Sequence, residues 1–175
     1  MKTPILETER VVLRPLRLDD AETIFKNWTS DPDVAKYMVW DLHKSVEETV
    51  EWLNFEVDNI DNPEVYTWGF ELKETGELIG SGGMIYRDDK EMYSIGYNFM
   101  KKYWRQGFGT EVAEKMLDFI VNEIGAKEVF GQHESGNDNS GKVMKKLGFE
   151  YMGDVEGEKF SGEKRIFCEY IYKAK

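Results

Sequence analysis

The spacing of apolar residues changes along this chain, and each change marks an element. ERVVLRPLRL predicts a first strand, ending where Asp19 or Asp20 can cap a helix that carries Ile24, Phe25 and Trp28. Pro32, in SDPDVAKYM, breaks that helix and begins a short one. Ser45 and Glu48 match a capping box, and Val46, Val50, Leu53 and Val57 give the helix behind it one buried stripe. The period then falls to two. VYTWGFELK, the turn ETGE and LIGSGGMIY read as a hairpin, and MYSIGYNFM as a further strand with Ile95, Tyr97 and Phe99 on one face. The clearest helix is 109–124, where Val112, Met116, Phe119 and Ile120 share a stripe and Gly125 stands just past the end. KEVFGQH reads as a strand, NSGKVMKKLGF as a short helix stopped by Gly148, and two strands close the chain. One strand–helix–strand unit inside a mostly antiparallel arrangement predicts a mixed α/β (α+β) fold, a single domain over 1–175 with no linker or repeat.

With 175 residues, 41% of them hydrophobic, the chain can close a sizeable core. Its 34 acidic and 23 basic side chains give a net charge of -11, which disfavours nucleic acid as a partner. Small cations or basic protein segments fit that charge, as does simple solubility. A lone cysteine, Cys168, excludes an internal disulfide and fits a reducing, cytoplasmic compartment. It alternates with apolar residues in IFCEYIY and reads as a packed thiol. Two histidines, His43 and His133, offer no metal-ligand spacing with it, so no metal is expected. No signal-like apolar core or bilayer-length run is present, so no membrane association is expected.

Against this acidity, YWRQGFGTE stands out. Lys101, Lys102 and Arg105 gather where the 109–124 helix begins, and Gly107 and Gly109 bare its backbone. A helix N-terminus has unpaired N–H groups and partial positive charge, so glycines there admit a large anion. The alternative is a tight strand-to-helix turn with solvated cations. GFGTEV lacks the third glycine of a dinucleotide fingerprint and the Gly-Lys-Ser/Thr of a Walker loop, and IGSGGM is no nucleophile elbow.

YNFMKKYWRQGFGTEVAEKML followed by ESGNDNSGKVMKKLGFEYMG resembles the GCN5-related N-acetyltransferases (GNAT), in particular their RimJ/RimL-type branch. The likeness runs from TERVVLRPLRLDDAETIF to the final strand. The family signature is Gln/Arg-x-x-Gly-x-Gly/Ala; Trp104 takes its first place here, as in that branch, with Gly107 and Gly109 in the fourth and sixth. Asn137 and Ser140, ahead of Lys146-Leu147-Gly148-Phe149, supply the second signature.

The resemblance implies a mostly antiparallel sheet of about six or seven strands with one splayed pair, and acetyl-CoA as cosubstrate. Arg105, Gln106, Gly107, Phe108, Gly109 and Thr110 would hold its pyrophosphate, with Lys101 or Lys102 beside Arg105, and Asn137 would be a further ligand or a plain turn residue. Phe99 and Met100 would offer backbone groups to the pantetheine arm, as a sheet edge accepts a peptide, and an amide there would polarise the thioester. Many relatives place an acidic tyrosine where this chain has Met144, which leaves Ser140 to bond the sulfur, unless it is a helix cap. Glu71, Glu134 or His133 could serve as base, His133 and Glu134 facing opposite ways on their strand. Tyr37, Met38 and Trp40 would rim the acceptor site, Tyr37 being equally at home in the core.

The expected reaction is acetyl transfer to a primary amine by direct attack through a tetrahedral intermediate, the branch pointing to a protein N-terminal α-amine. A polyamine or aminoglycoside fits the charge as well, and the loss of the tyrosine admits a non-catalytic acyl-CoA-binding module. A homodimer stands open beside a monomer.

Overall fold

The computed structural model describes residues 1–175. Its sheet comprises β1 (Leu6–Glu7), β2 (Val11–Arg14), β3 (Val65–Leu72), β4 (Leu78–Arg87), β5 (Met92–Phe99), β6 (Glu128–Glu134), β7 (Glu150–Glu158) and β8 (Lys164–Lys173), in the order β1-β2-β3-β4-β5-β6-β8-β7. That is one strand beyond the upper expectation, and the two-residue β1 supplies it. The helices are α1 (Ala21–Ile24, prolonged by a π turn to Thr29), α2 (Pro32–Ala35), α3 (Val46–Asp58), α4 (Phe108–Asp118, prolonged by a π turn to Glu123) and α5 (Asp138–Lys146). None is long and apolar enough to cross a membrane. Every strand pair is antiparallel except β5–β6, which α4 joins as a crossover.

The helices cover the two faces separately. On one, Val112 and Met116 of α4 and Phe119 and Ile120 of the π turn beyond it pack on Tyr66, Trp68 and Phe70 of β3, with Phe119 edge-on to both Tyr66 and Trp68. On the other, Ile24, Trp28 and Leu53 close with Leu16 and Leu78. Each of these side chains contributes about 1.5–3 kcal/mol by leaving water.

Three local expectations shift. β2 stops at Arg14, because Pro15 has no N–H to continue the ladder. Asp20 caps no helix by its side chain; it accepts from the Arg17 N–H at 2.8 Å and binds both terminal nitrogens of Arg14 at 2.9 and 2.8 Å. In α3 the capping box of Ser45 and Glu48 forms, but Thr49 rather than Val50 is buried beside Leu53. The Thr49 hydroxyl meets Thr29 Oγ1 at 2.9 Å and His43 Nδ1 at 2.7 Å. Its polarity is satisfied inside, so the helix turns by one position and Val50 faces solvent.

β5 is held unequally. Toward β4 its pairing runs from Met92 to Phe99. A Cβ at Gly80 would lie 2.2 Å from the Asn98 carbonyl oxygen, and one at Gly82 2.6 Å from that of Gly96, so bare glycines let β4 and β5 approach this closely. Toward β6 pairing ends at Ile95–Gly131, leaving Gly96–Phe99 and Gln132–Glu134 without each other. The two strands splay there.

Candidate active site

Two helix N-termini flank the splay. α5 begins conventionally, with the Asn137 side chain accepting from the Ser140 N–H at 3.4 Å. Ser140 is therefore not the cap, and its hydroxyl lies near the Tyr97 phenol. α4 begins with no side chain on its first amides. The loop before it turns on two left-handed residues, Arg105 (φ 60°) and Gly107 (φ 82°). Gly107 adopts that conformation at no steric cost, whereas Arg105 holds it under strain. With no side chain capping them, the first N–H groups of α4 have no partner within the helix. Phe108 itself is buried core, Thr110 half-buried, and Gly109 sits over the Tyr97 ring.

The expected cations divide. Lys101 is bound to Asp33 at 2.6 Å and Lys102 to Glu77 at 2.9 Å, so neither ammonium is free for a phosphate. Arg105 has no ion pair and is exposed. Sequence reasoning missed Arg10, remote in the chain. Its guanidinium lies 3.9 Å over the Phe108 ring, donates to the Gln106 carbonyl at 3.0 Å and pairs with Glu111 at 2.9 Å, clamping the loop onto the helix. Gln106 is used up further, its Nε2 donating to the Lys102 carbonyl at 2.8 Å.

The backbone edge also differs from expectation. The Met100 N–H donates to the Ile79 carbonyl at 2.8 Å, and the Phe99 carbonyl accepts from the Trp104 indole at 2.8 Å. Neither group is open to an arm lying in the splay. Because Met100 bonds toward β4, alternation turns the N–H and C=O of Tyr97 and the N–H of Phe99 toward β6, where no residue pairs with them. The free edge thus belongs to Tyr97 and to the Phe99 amide. The Phe99 side chain is core, stacked on Phe70. Two side-chain oxygens at this point, Tyr97 Oη and Asn98 Oδ1, are buried without a hydrogen-bond partner, one on each face of β5. Both lie in the run read as strand core, and only their orphaned state singles them out.

The titratable candidates fall in different places. Glu71 sits on β3, bound to Arg14 at 2.9 Å, with all of β4 between it and β5; it does not reach the splay. His133 turns inward, its Nε2 3.0 Å from the Tyr170 hydroxyl and its Nδ1 2.7 Å from the Glu134 carbonyl oxygen, and is buried under Gly141. Glu134 takes the opposite face at the splayed end of β6, 3.3 Å from Arg165 Nε. Met144 is buried against Gly131. Cys168 is half-buried, and burial, then Asp154, pushes its thiol up to about 11, which keeps it protonated. Tyr37 lies against Gly136 at the β6–α5 loop; the neighbouring loop is tied to the β7–β8 turn by the Phe160 N–H on the Val39 carbonyl at 2.8 Å and Lys159 Nζ on that of Ala35 at 3.2 Å.

A splayed parallel pair, an uncapped α4 and the sheet order together define an acyltransferase architecture. Residues 10–150 match the acetyltransferase (GNAT) domain family, and the chain belongs to that family. The uncharacterized N-acetyltransferase YoaA of Bacillus subtilis (strain 168) is 30% identical over 151 residues, covering 86% of this chain and 85% of that protein. The fold is shared with a GNAT-family acetyltransferase from Bacillus anthracis at a TM-score of 0.83, 23% identity, and 97% and 98% of the two chains. RimL, a ribosomal L7/L12 α-N-protein acetyltransferase in complex with coenzyme A, superposes at a TM-score of 0.82 with 13% identity over 99% and 98% of the chains.

Proposed function

We propose that this N-acetyltransferase moves the acetyl group of acetyl-CoA onto the α-amine of a protein N-terminus, as a RimJ/RimL-type member. One observation carries the coenzyme assignment: the unpaired edge of β5 leads directly to an α4 N-terminus left without a cap. The fit is chemical as well as spatial. The amides from Gly107 to Thr110 and the free Arg105 would hold the pyrophosphate, and the Tyr97 and Phe99 backbone the pantetheine amides. Bound there, acetyl-CoA supplies an activated acyl carbonyl and a thiolate leaving group.

The chain's residues supply the rest. The Phe99 N–H, fixed by strand pairing on its far side, is a preorganised donor for a carbonyl oxygen gaining charge. Ser140, whose place as cap Asn137 takes, would offer its hydroxyl to the coenzyme from α5. Glu134 stands on the other face of the sheet and would take the amine's proton directly or through water. Asn98, on that face too, has an acceptor oxygen with nothing bound to it, suited to the N–H of an incoming amine or peptide. Tyr37 and the tied loop beside it would form the rim.

The net charge of -11 supports a second acceptor class, polyamines or aminoglycosides. Purified protein with acetyl-CoA and a mixed panel of N-terminal peptides, polyamines and aminoglycosides, followed by thiol release and mass spectrometry, separates them; acetylated peptide α-amines are expected. Silence across the panel from protein that binds the coenzyme would instead favour an acyl-CoA-binding module, the reading that Met144 motivates. Equal thermal stabilisation by coenzyme A and ATP would overturn the coenzyme assignment.

A further inference from the structure

We infer that the Tyr97 hydroxyl is the hydrogen-bond donor to the coenzyme's sulfur, acting from β5 in place of a donor that Met144 cannot provide from α5. The inference rests on the acetyl-CoA reading above. Tyr97 stands on the segment of β5 that β6 has left, with its side chain on the face covered by α4 and α5. Its ring lies under the first turn of α4: a Cβ on Gly109 would meet ring carbons at 3.4 and 3.9 Å and Val143 of α5 at 3.8 Å. The phenol is therefore held between the two helices that border the gap.

Its oxygen is buried there with no hydrogen bond of good geometry, the Ser140 hydroxyl lying near it without completing one, an unfavourable state for a polar atom unless a ligand completes it. Burial pushes this phenol up to about 12 and the Ser140 hydroxyl moderates the rise; no charged side chain of β5, α4 or α5 acts on it. It stays protonated at any physiological pH and can only donate to an anion. Since an ordinary thiol ionises near ~8.5, a thiolate is too weak a base to take the phenolic proton. The step balances accordingly. The amine nitrogen bonds to the acyl carbon and the C–S bond breaks with its electron pair on sulfur. The amine's proton goes to the base, and Tyr97 lends a hydrogen bond without losing its own proton.

Tyr97→Phe removes one oxygen and keeps the ring. Three readouts are expected: kcat lower by about 10- to 100-fold with the KM for acetyl-CoA little changed; a bound coenzyme A thiol whose pKa rises by about one unit; and a thermal midpoint equal to or above that of the unaltered protein, because a buried orphan is gone. The thiol pKa is read, without turnover, from the pH dependence of alkylation of bound coenzyme A, with mass spectrometry of the coenzyme separating it from Cys168. An unchanged thiol pKa would overturn the inference even if the rate fell, as would a clear loss of stability, which marks a packing role. Failure of the unaltered protein to bind coenzyme A would overturn the proposed function itself.

Discussion

The two edges of β5 are built from the same strand and do opposite work. Toward β4 it is paired along its whole length, and glycines bring the backbones so close that no side chain fits between. Toward β6 it is paired at Tyr93, Ser94 and Ile95 only, and the rest of that edge is left without a partner strand. One edge supplies rigidity and the other supplies unspent hydrogen-bonding groups. A preorganised donor needs both: the Phe99 amide can face a gap without wandering because its strand is fixed on the far side.

Substitutions on the two edges should therefore separate stability from binding. The largest effect is expected from Gly80→Val, whose Cβ would collide with the Asn98 carbonyl; chemical denaturation should show a loss of about 3 kcal/mol or more, or no folded protein. On the open edge, Gly107→Glu places a carboxylate and a side chain at φ 82° in the anion cradle. Calorimetry should show coenzyme affinity falling by at least ~100-fold, while stability drops by only about 1 kcal/mol. Asn137→Ala should cost about 1 kcal/mol through the lost cap of α5, with coenzyme affinity little changed. Smallest of all, Lys101→Ala or Lys102→Ala should shift stability by under ~1 kcal/mol and leave coenzyme binding nearly intact, because each ammonium is already neutralised. Arg105→Ala should weaken binding more than either, and the difference should shrink in high salt.

The strand and helix order was legible because periodicity records which face of an element is buried. So was the loop before α4, since glycine and charge clustering are local signals. What stayed hidden depends on pairing between distant segments. Lys101 and Lys102 look like phosphate ligands until Asp33 and Glu77 are seen beside them, and Arg10 gives no local sign of its place over Phe108. Phe99 and Met100 sit where a family pattern would place the open backbone. The phase of the β4 ladder decides which residues face outward, and that phase is not written in one strand. Glu71 failed for a related reason: its own hairpin alternation cannot say how many strands lie between it and the gap.

Trp104 closes the last carbonyl of β5 with its indole N–H, at 2.8 Å from the Phe99 oxygen. The residue that opens the glycine motif is thereby also a stopper on the strand before it, and it fixes where the doorway ends. Exchanging it for phenylalanine would lengthen the unpaired ledge by one carbonyl, so the extent of that ledge is metered by a single ring nitrogen.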